Sequence, residues 1–418
     1  MPSVHHSQTM KAASPQRFVG WSAVAVAVLL YFLILTDAAR ERWALSLFQG
    51  GVFGLAIVWA IRMLFRPYRL SASVLFIPLG GTALWGLLQL FMNQTVYRFE
   101  TWNAVLGWIT NFVLFFLVLQ ILAVSEIRRT FLQALLYFGF ALSVVSVVQF
   151  FTSKGKIFWV FSAQFADRPL GPFVNRDHYA SFIALVLPLA IYMAGAERKN
   201  TVSHAAMAGA MFASVIAGAS RAGSILVTTE IAFLLLLGTL GGPTPRRTPV
   251  ANLARIAFFA AVFSAVVGWG VLWDRFKDPD PYRLRQEMVY SSISMVRERP
   301  WSGFGLGTWS TAYPAYALFD IGSIPYHTHN DWAEWAADGG IPFFAMLLSI
   351  FLWSLRYAIR FPWGVGVVAV FLHSLVDFPL QKPSLAALTF VLLGALAASA
   401  KYPSTSMGCR PGSNAIGE

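Results

Sequence analysis

About twelve stretches of this chain are apolar over roughly 17 to 25 residues, the length a helix needs to cross a hydrocarbon core. They are centred on 19–35, 45–64, 70–92, 105–124, 131–151, 179–196, 205–219, 225–240, 256–272, 341–357, 363–378 and 385–400. Backbone polar groups in lipid have no water to bond, so such segments are helical. The expected fold is therefore an all-α polytopic membrane protein with about twelve transmembrane helices. Composition agrees: 57% of residues are hydrophobic, 12% are charged, and the mean hydropathy is +0.61. The transmembrane domain is expected to span 17–402. The flanking tails, 1–16 and 403–418, are rich in Ser, Pro, Gly and His and read as disordered cytoplasmic segments. The first apolar run is longer than the core of a signal peptide and is followed by many more, so it reads as the first span.

Basic residues set the orientation. With both termini inside, the inner segments hold Lys11, Arg17, Arg62, Arg66, Arg69, Arg128, Arg129, Arg198, Lys199, Arg246, Arg247, Arg255, Arg356, Arg360, Lys401 and Arg410. The short outer turns hold only Arg40, Arg42, Arg98, Arg221 and Lys382. This is the positive-inside bias, which acts on short loops and not on the two long outer intervals, 152–178 and 274–340. Topology thus accounts for much of the net charge of +12, and nucleic acid is not the expected partner. The outer cations are unexplained by that rule: Lys154, Lys156, Arg168 and Arg176 in the first interval, Arg221 in a tight turn, and Arg275, Lys277, Arg283, Arg285, Arg297 and Arg299 in the second. They suit an anionic, phosphate-bearing partner, or simple contact with lipid headgroups.

The spans themselves are nearly free of ionisable groups. Glu230 is the clear mid-span charge, and His373 and Asp377 lie near the outer end of the eleventh run. Neither repeated halves nor paired Gly/Pro-broken helices are evident, which argues against a secondary transporter. The chain has a single cysteine, Cys409, so an intrachain disulfide is excluded.

Polar chemistry gathers instead at the outer boundary. Arg168, Asn175, Arg176, Asp177 and His178 run directly into the sixth span, and Ser220, Arg221 and Gly223 form the turn between the seventh and eighth. The long interval supplies Tyr282, Arg283 and Arg285, an amphipathic stretch 286–297, and a turn-rich segment with Gly303, Gly305 and Gly307. It ends in Tyr326, His327, Thr328, His329, Asn330 and Asp331, which hold two of the chain's seven histidines. Histidine titrates near neutrality, so this pair suits proton transfer or metal binding. A metal would need a third ligand, and none is compelling beside His327, His329 and Asp331.

In order along the chain, Pro300, Gly303-Phe304-Gly305-Leu306-Gly307, Tyr313-Pro314, His327-Thr328-His329-Asn330-Asp331 and Gly339-Gly340 resemble the superfamily of O-antigen ligases and Wzy-type polymerases of bacterial surface polysaccharides. Supporting pieces are Gly171-Pro172-Phe173-Val174-Asn175, Ser220-Arg221-Ala222-Gly223, and the stretch from His373 through Asp377 to Gln381. The resemblance spans roughly 168–383. The ligase pattern is a His followed by Asn, Ser or Gln, nine residues, then Gly-x-x-Gly. Here His329-Asn330 and Gly340 keep that spacing, but Phe343 stands where the last glycine belongs. Ligase and polymerase both stay open.

The resemblance implies a bacterial inner-membrane glycosyltransferase with its site facing the periplasm. It would move a glycan from undecaprenyl diphosphate to an acceptor hydroxyl of the lipid A core or of another glycan, without cofactor or metal. His329 would be the base of an inverting displacement. Arg221 and Arg285, then Arg168 and Arg176, would contact the diphosphate, with His327 and Asn330 as further substrate-side residues. Asn330 and Asp331 equally suit orienting the histidines or capping a helix. An exporter of lipid-linked glycans is the alternative from another class, and it would not depend on His329.

Overall fold

The computed structural model describes residues 5–38, 42–162, 168–239, 249–277, 282–319, 322 and 325–403. It is an all-α polytopic membrane protein. Nine helices come first: α1 (His5–Leu35), α2 (Trp43–Phe65), α3 (Phe76–Phe91), α4 (Arg98–Ile121), α5 (Ser125–Thr152), α6 (Arg176–Ala196), α7 (Thr201–Gly218), α8 (Arg221–Thr239) and α9 (Pro249–Val267). Three helices cover the second long hydrophilic interval, α10 (Gly270–Phe276), α11 (Arg283–Glu298) and α12 (Trp309–Ala312). They are followed by α13 (Asp331–Arg360), α14 (Val365–His373) and α15 (Pro383–Lys401). A two-residue hairpin, Lys156–Ile157 against Phe161–Ser162, follows α5.

Among the described residues, eight helices are long and apolar enough to cross a membrane: α1 from Gln16, α2, α4, α5, α6, α7, α13 and α15. The sequence expectation was twelve. Two of the runs that fall short do so for visible reasons. The third yields the 16-residue α3 and the eleventh the nine-residue α14, each shorter than its apolar run. The eighth and ninth runs form α8 and α9, of 19 residues each. Helical backbone already begins at His5, inside the tail expected to be disordered, while 404–418 lie outside the described residues.

α6 and α15 form the centre, with 78% and 89% of their apolar windows buried. α6 packs against α7, α8 and α14, and α15 packs against α4. The approach of α14 to α6 depends on Gly366, because a Cβ there would stand 2.5 Å from the Ala184 carbonyl oxygen. The outer helices expose Ile57, Val58, Ile61, Leu64 and Phe65 of α2, the side chains a bilayer covers.

Gly339-Gly340 stands directly before the tenth apolar run, at a kink that joins two helical segments. It is a break inside α13, which begins nine residues before Gly340. Gly340 adopts φ 69°, ψ −174°, a conformation essentially restricted to glycine. Several of the backbone groups released there find partners outside the helix. The Ile341 N–H donates to the Pro300 carbonyl (2.8 Å), Trp85 Nε1 to the Gly339 carbonyl (2.8 Å), and Gln89 Nε2 to the Asp338 carbonyl (2.8 Å). Pro342 has no N–H to satisfy, which suits the first turn after a break. The Gly303–Gly307 segment closes the other side: Gly305 N–H donates to the Asp338 carbonyl (2.9 Å) and Gly307 N–H to its carboxylate (2.8 Å). A Cβ at position 340 would lie 2.7 Å from the carbonyl oxygens of both Pro300 and Trp301. Gly340→Ala is therefore expected to destabilise the protein by at least about 1–3 kcal/mol, read as a lower melting temperature in detergent. An unchanged melting temperature would show that the break has no such cost.

Candidate active site

The histidine cluster is the turn that starts α13, and each residue in it has a separate task. Asn330 caps the helix, its Oδ1 accepting from Ala333 N–H (2.9 Å), and its Nδ2 donates to the Leu375 carbonyl (2.9 Å). Asp331 is fully buried and fastens the turn to the segment after α14. Its carboxylate accepts from Ser374 Oγ (2.7 Å) and Leu380 N–H (3.0 Å), and its own N–H donates to the Ser374 carbonyl (2.9 Å). Thr328 N–H and His327 Nδ1 both meet the Glu334 carboxylate, at 2.9 and 2.8 Å. The 374–380 segment is thereby held in register with the histidines.

That register brings Asp377 to His329. Asp377 Oδ1 lies 3.0 Å from His329 Nδ1, and Oδ2 lies 3.6 Å from His178 Nε2 on α6. Burial pushes the Asp377 carboxyl up, but the hydrogen bond from His329 and the charges of His178, His373 and His329 outweigh it, leaving the pKa below the ordinary carboxylate range. A carboxylate can only accept, so Nδ1 of His329 is the donor in this bond, and the tautomer it selects for a neutral imidazole has its lone pair on Nε2. His329 itself sits at φ 53°, a left-handed conformation that is uncommon for a residue with a side chain. The Phe378 ring packs against all three rings nearby, with centroids 4.5 Å from His327 and 4.7 Å from both His329 and His178. His373, expected near the outer end of its span, is buried and pairs through Nδ1 with Ser181 Oγ (2.7 Å).

Beside this dyad lies a cluster of guanidinium groups around Asp177, the second residue of α6. Asp177 accepts from Ser220 Oγ (2.6 Å) and from Arg285 Nη2 (3.2 Å), and Arg285 also donates to the Val376 carbonyl. Arg221, the first residue of α8, follows Ala219 at φ 53° and donates to the Arg275 carbonyl (2.8 Å). Tyr282 lies under both cations, its ring 5.6 Å from the Arg221 guanidinium carbon and 5.8 Å from that of Arg285. Arg275 has its pKa lowered, first by burial and then by Arg176, Arg221 and Arg285, with Asp177 opposing. Arg176, Arg221, Arg275 and Arg285 thus gather around the Asp177 carboxylate. Their repulsion is relieved by an anion, and at the edge of a membrane such an arrangement is suited to a phosphate or diphosphate.

His329 and Arg285 line one cleft of about 340 Å³, with Tyr282, Gln286, Tyr290 and Val376 among others. The structure therefore places Arg176, Arg221, Arg285 and His329 in one neighbourhood. Arg168 stands apart, with its guanidinium 5.5 Å from the Phe150 ring at the end of α5. Asn330 commits its amide to the scaffold, and His327 faces Glu334 and not the Asp377 pair. Because the two histidines turn to different carboxylates, they do not converge as ligands, and among the described residues no three His, Cys, Asp or Glu side chains are grouped to hold a metal. Sequence reasoning did not single out Arg275, Asp177 or Asp377 for the site. The signals were there, in a charged Asn-Arg-Asp-His run before one span and a His-Ser-Leu-Val-Asp run after another.

Residues 201–348 match the family described as O-Antigen ligase, so an O-antigen ligase domain is present over that part of the chain. The matched part runs from α7 into α13 and contains Arg221, Arg275, Arg285, His327 and His329. Arg176, Asp177, His178 and Asp377 lie outside it, so the site is completed by flanking helices. No curated protein matches the chain.

Proposed function

We propose that this protein is an O-antigen ligase-like glycosyltransferase of the bacterial inner membrane, acting at the periplasmic face. It transfers a glycan from undecaprenyl diphosphate to a hydroxyl of the lipid A core, without metal or cofactor. The observation that supports this reading best is the cleft lined by both His329 and Arg285, where an Asp-oriented histidine stands beside a cluster of arginines. His329 Nε2 takes the proton of the attacking hydroxyl as its oxygen bonds to the anomeric carbon on the face opposite the diphosphate. The C–O bond to the diphosphate breaks, the electron pair leaves with it, and configuration inverts. Arg285, Arg221, Arg176 and Arg275 stabilise the charge that gathers on the leaving group, which is where fixed guanidinium donors contribute most. The basic residues at the ends of α2 and α13, Arg62, Arg66, Arg356 and Arg360, favour the cytoplasm at one end of the bundle. The cleft is at the other.

The test is purified protein in nanodiscs with an undecaprenyl-diphosphate glycan and a lipid A core acceptor. The expected result is one glycosylated core per glycan consumed, with free undecaprenyl diphosphate released. A lengthened lipid-linked glycan in place of glycosylated core would make the protein a polymerase. Movement of intact donor across a vesicle membrane with no new glycosidic bond would make it an exporter and overturn the reading.

A further inference from the structure

We propose that the end of the bundle opposite the histidine cluster carries a second anion site, which takes the phosphodiester headgroup of an anionic phospholipid. A cavity of about 490 Å³ opens there between α1 and α2, lined by Phe18, Trp59, Arg62, Met63, Arg66 and Tyr68 among others. Its position follows from its neighbours. Tyr68 donates to the Gln120 carbonyl at the end of α4, and Ser71 pairs with Tyr402 just past the end of α15. The histidine cluster, in contrast, adjoins the start of α15, where Ser384 bonds to Asp37. The two sites are thus separated by the length of the spans.

The walls of the cavity are built and not incidental. Trp59 is buried and its indole N–H is held by Ser22 Oγ (3.0 Å). Its ring packs against Phe18 and Tyr68, each at a centroid distance of 5.3 Å. Arg62 lies over the Phe18 ring at 4.1 Å, which fixes the plane of its guanidinium while leaving its N–H edge to bond elsewhere. Arg66 stands one turn further on. The lining contains both cations and no Asp or Glu, and among the described residues neither guanidinium is paired with a carboxylate. Two arginines one turn apart match a phosphodiester, which carries a single negative charge and two free oxygens.

The apolar surroundings select a lipid over a free phosphate. Phe65 lines the cavity and is 80% exposed, and Leu64, Ile61, Val58 and Ile57 continue the exposed face along α2. Acyl chains would lie on that face while the headgroup occupied the cavity. Basic pockets between helices at the cytoplasmic surface recognise anionic lipids in this way. Positive-inside topology alone would ask only for charge, and would not require an aromatic enclosure.

The experiment uses the full chain in neutral detergent, with thermal unfolding followed after adding phosphatidylglycerol, phosphatidylcholine or inorganic phosphate at equal concentration. Native mass spectrometry counts bound lipid in parallel. Phosphatidylglycerol is expected to raise the melting temperature by about 2–4 °C, while the other two do not. The Arg62→Gln/Arg66→Gln protein is expected to lose that increment and one tightly bound lipid. Arg69→Gln, at the same end but outside the cavity lining, keeps both. Should the double substitution impair folding, Arg66→Gln alone is read by the lipid count. An equal increment from phosphatidylcholine or from inorganic phosphate would overturn the proposal, as would an increment retained without the two arginines.

Discussion

Replacing His329 by alanine is expected to lower glycan transfer by about 10²–10⁴-fold, the usual contribution of a positioned general base. The effect should fall on the rate of the chemical step at saturating donor, because the imidazole acts on the acceptor hydroxyl and not on the diphosphate. Asp377→Asn is expected to slow the reaction as well, by a smaller factor. An amide offers either an acceptor or a donor to Nδ1, so it no longer enforces the tautomer that leaves the Nε2 lone pair free. Folding is not the cause in either case. The turn is anchored by Asn330, Asp331, Thr328 and Glu334, all of which remain. Single-turnover assays with radiolabelled donor separate the outcomes. Transfer at the wild-type rate by His329→Ala protein would remove His329 from the base role.

Much of this site could be read from the sequence, but only where its parts are contiguous. The His-Thr-His-Asn-Asp run announced itself as a polar cluster, and the structure ties it to Glu334, Asp377, Ala333 and Ser374. Asn330 was read both as a helix cap and as a substrate contact, and its amide is committed to the cap and to Leu375. Asp377 and Asp177 were visible as residues but not as partners. They reach the cleft from the end of α14 and the start of α6, so only tertiary packing puts them beside His329 and Arg285. Arg275 was one unexplained cation among many. Its importance comes from the Arg176, Arg221 and Arg285 charges around it, which no local pattern encodes.

The fold shows the same division. Hydropathy reports where apolar residues are dense, and it located the long helices well. It does not report where a helix ends, which is why the third and eleventh runs give helices shorter than the runs themselves. Gly339-Gly340 does mark a helix boundary, as two glycines before an apolar run suggest, although a further helical segment precedes it. The cause is the close approach of the Pro300 and Trp301 carbonyls to α13. The polar side chains that compensate, Trp85 and Gln89, lie on α3, more than 200 residues away in the chain.

Arg285→Ala is expected to reduce kcat by about 10²–10³-fold, the scale seen when one preorganised donor to a developing anion is removed. Arg285 joins the two halves of the site. It lines the cleft with His329, bonds to Asp177 and to the Val376 carbonyl, and shares Tyr282 with Arg221. Because Val376 adjoins Asp377, the same side chain that neutralises the leaving group also braces the carboxylate behind the base. Arg285→Lys should recover little, since an ammonium keeps the charge but cannot donate in parallel to Asp177, Val376 and a phosphate oxygen. Arg168→Ala serves as the comparison. It removes an equal charge from the same face, but from a residue seated over Phe150 and away from the cluster, and it should leave kcat nearly unchanged. Equal losses in Arg285→Ala and Arg168→Ala would mean that the outer face attracts its substrate by general charge alone. A loss confined to Arg285, with donor KM little altered, would place its effect in the transition state.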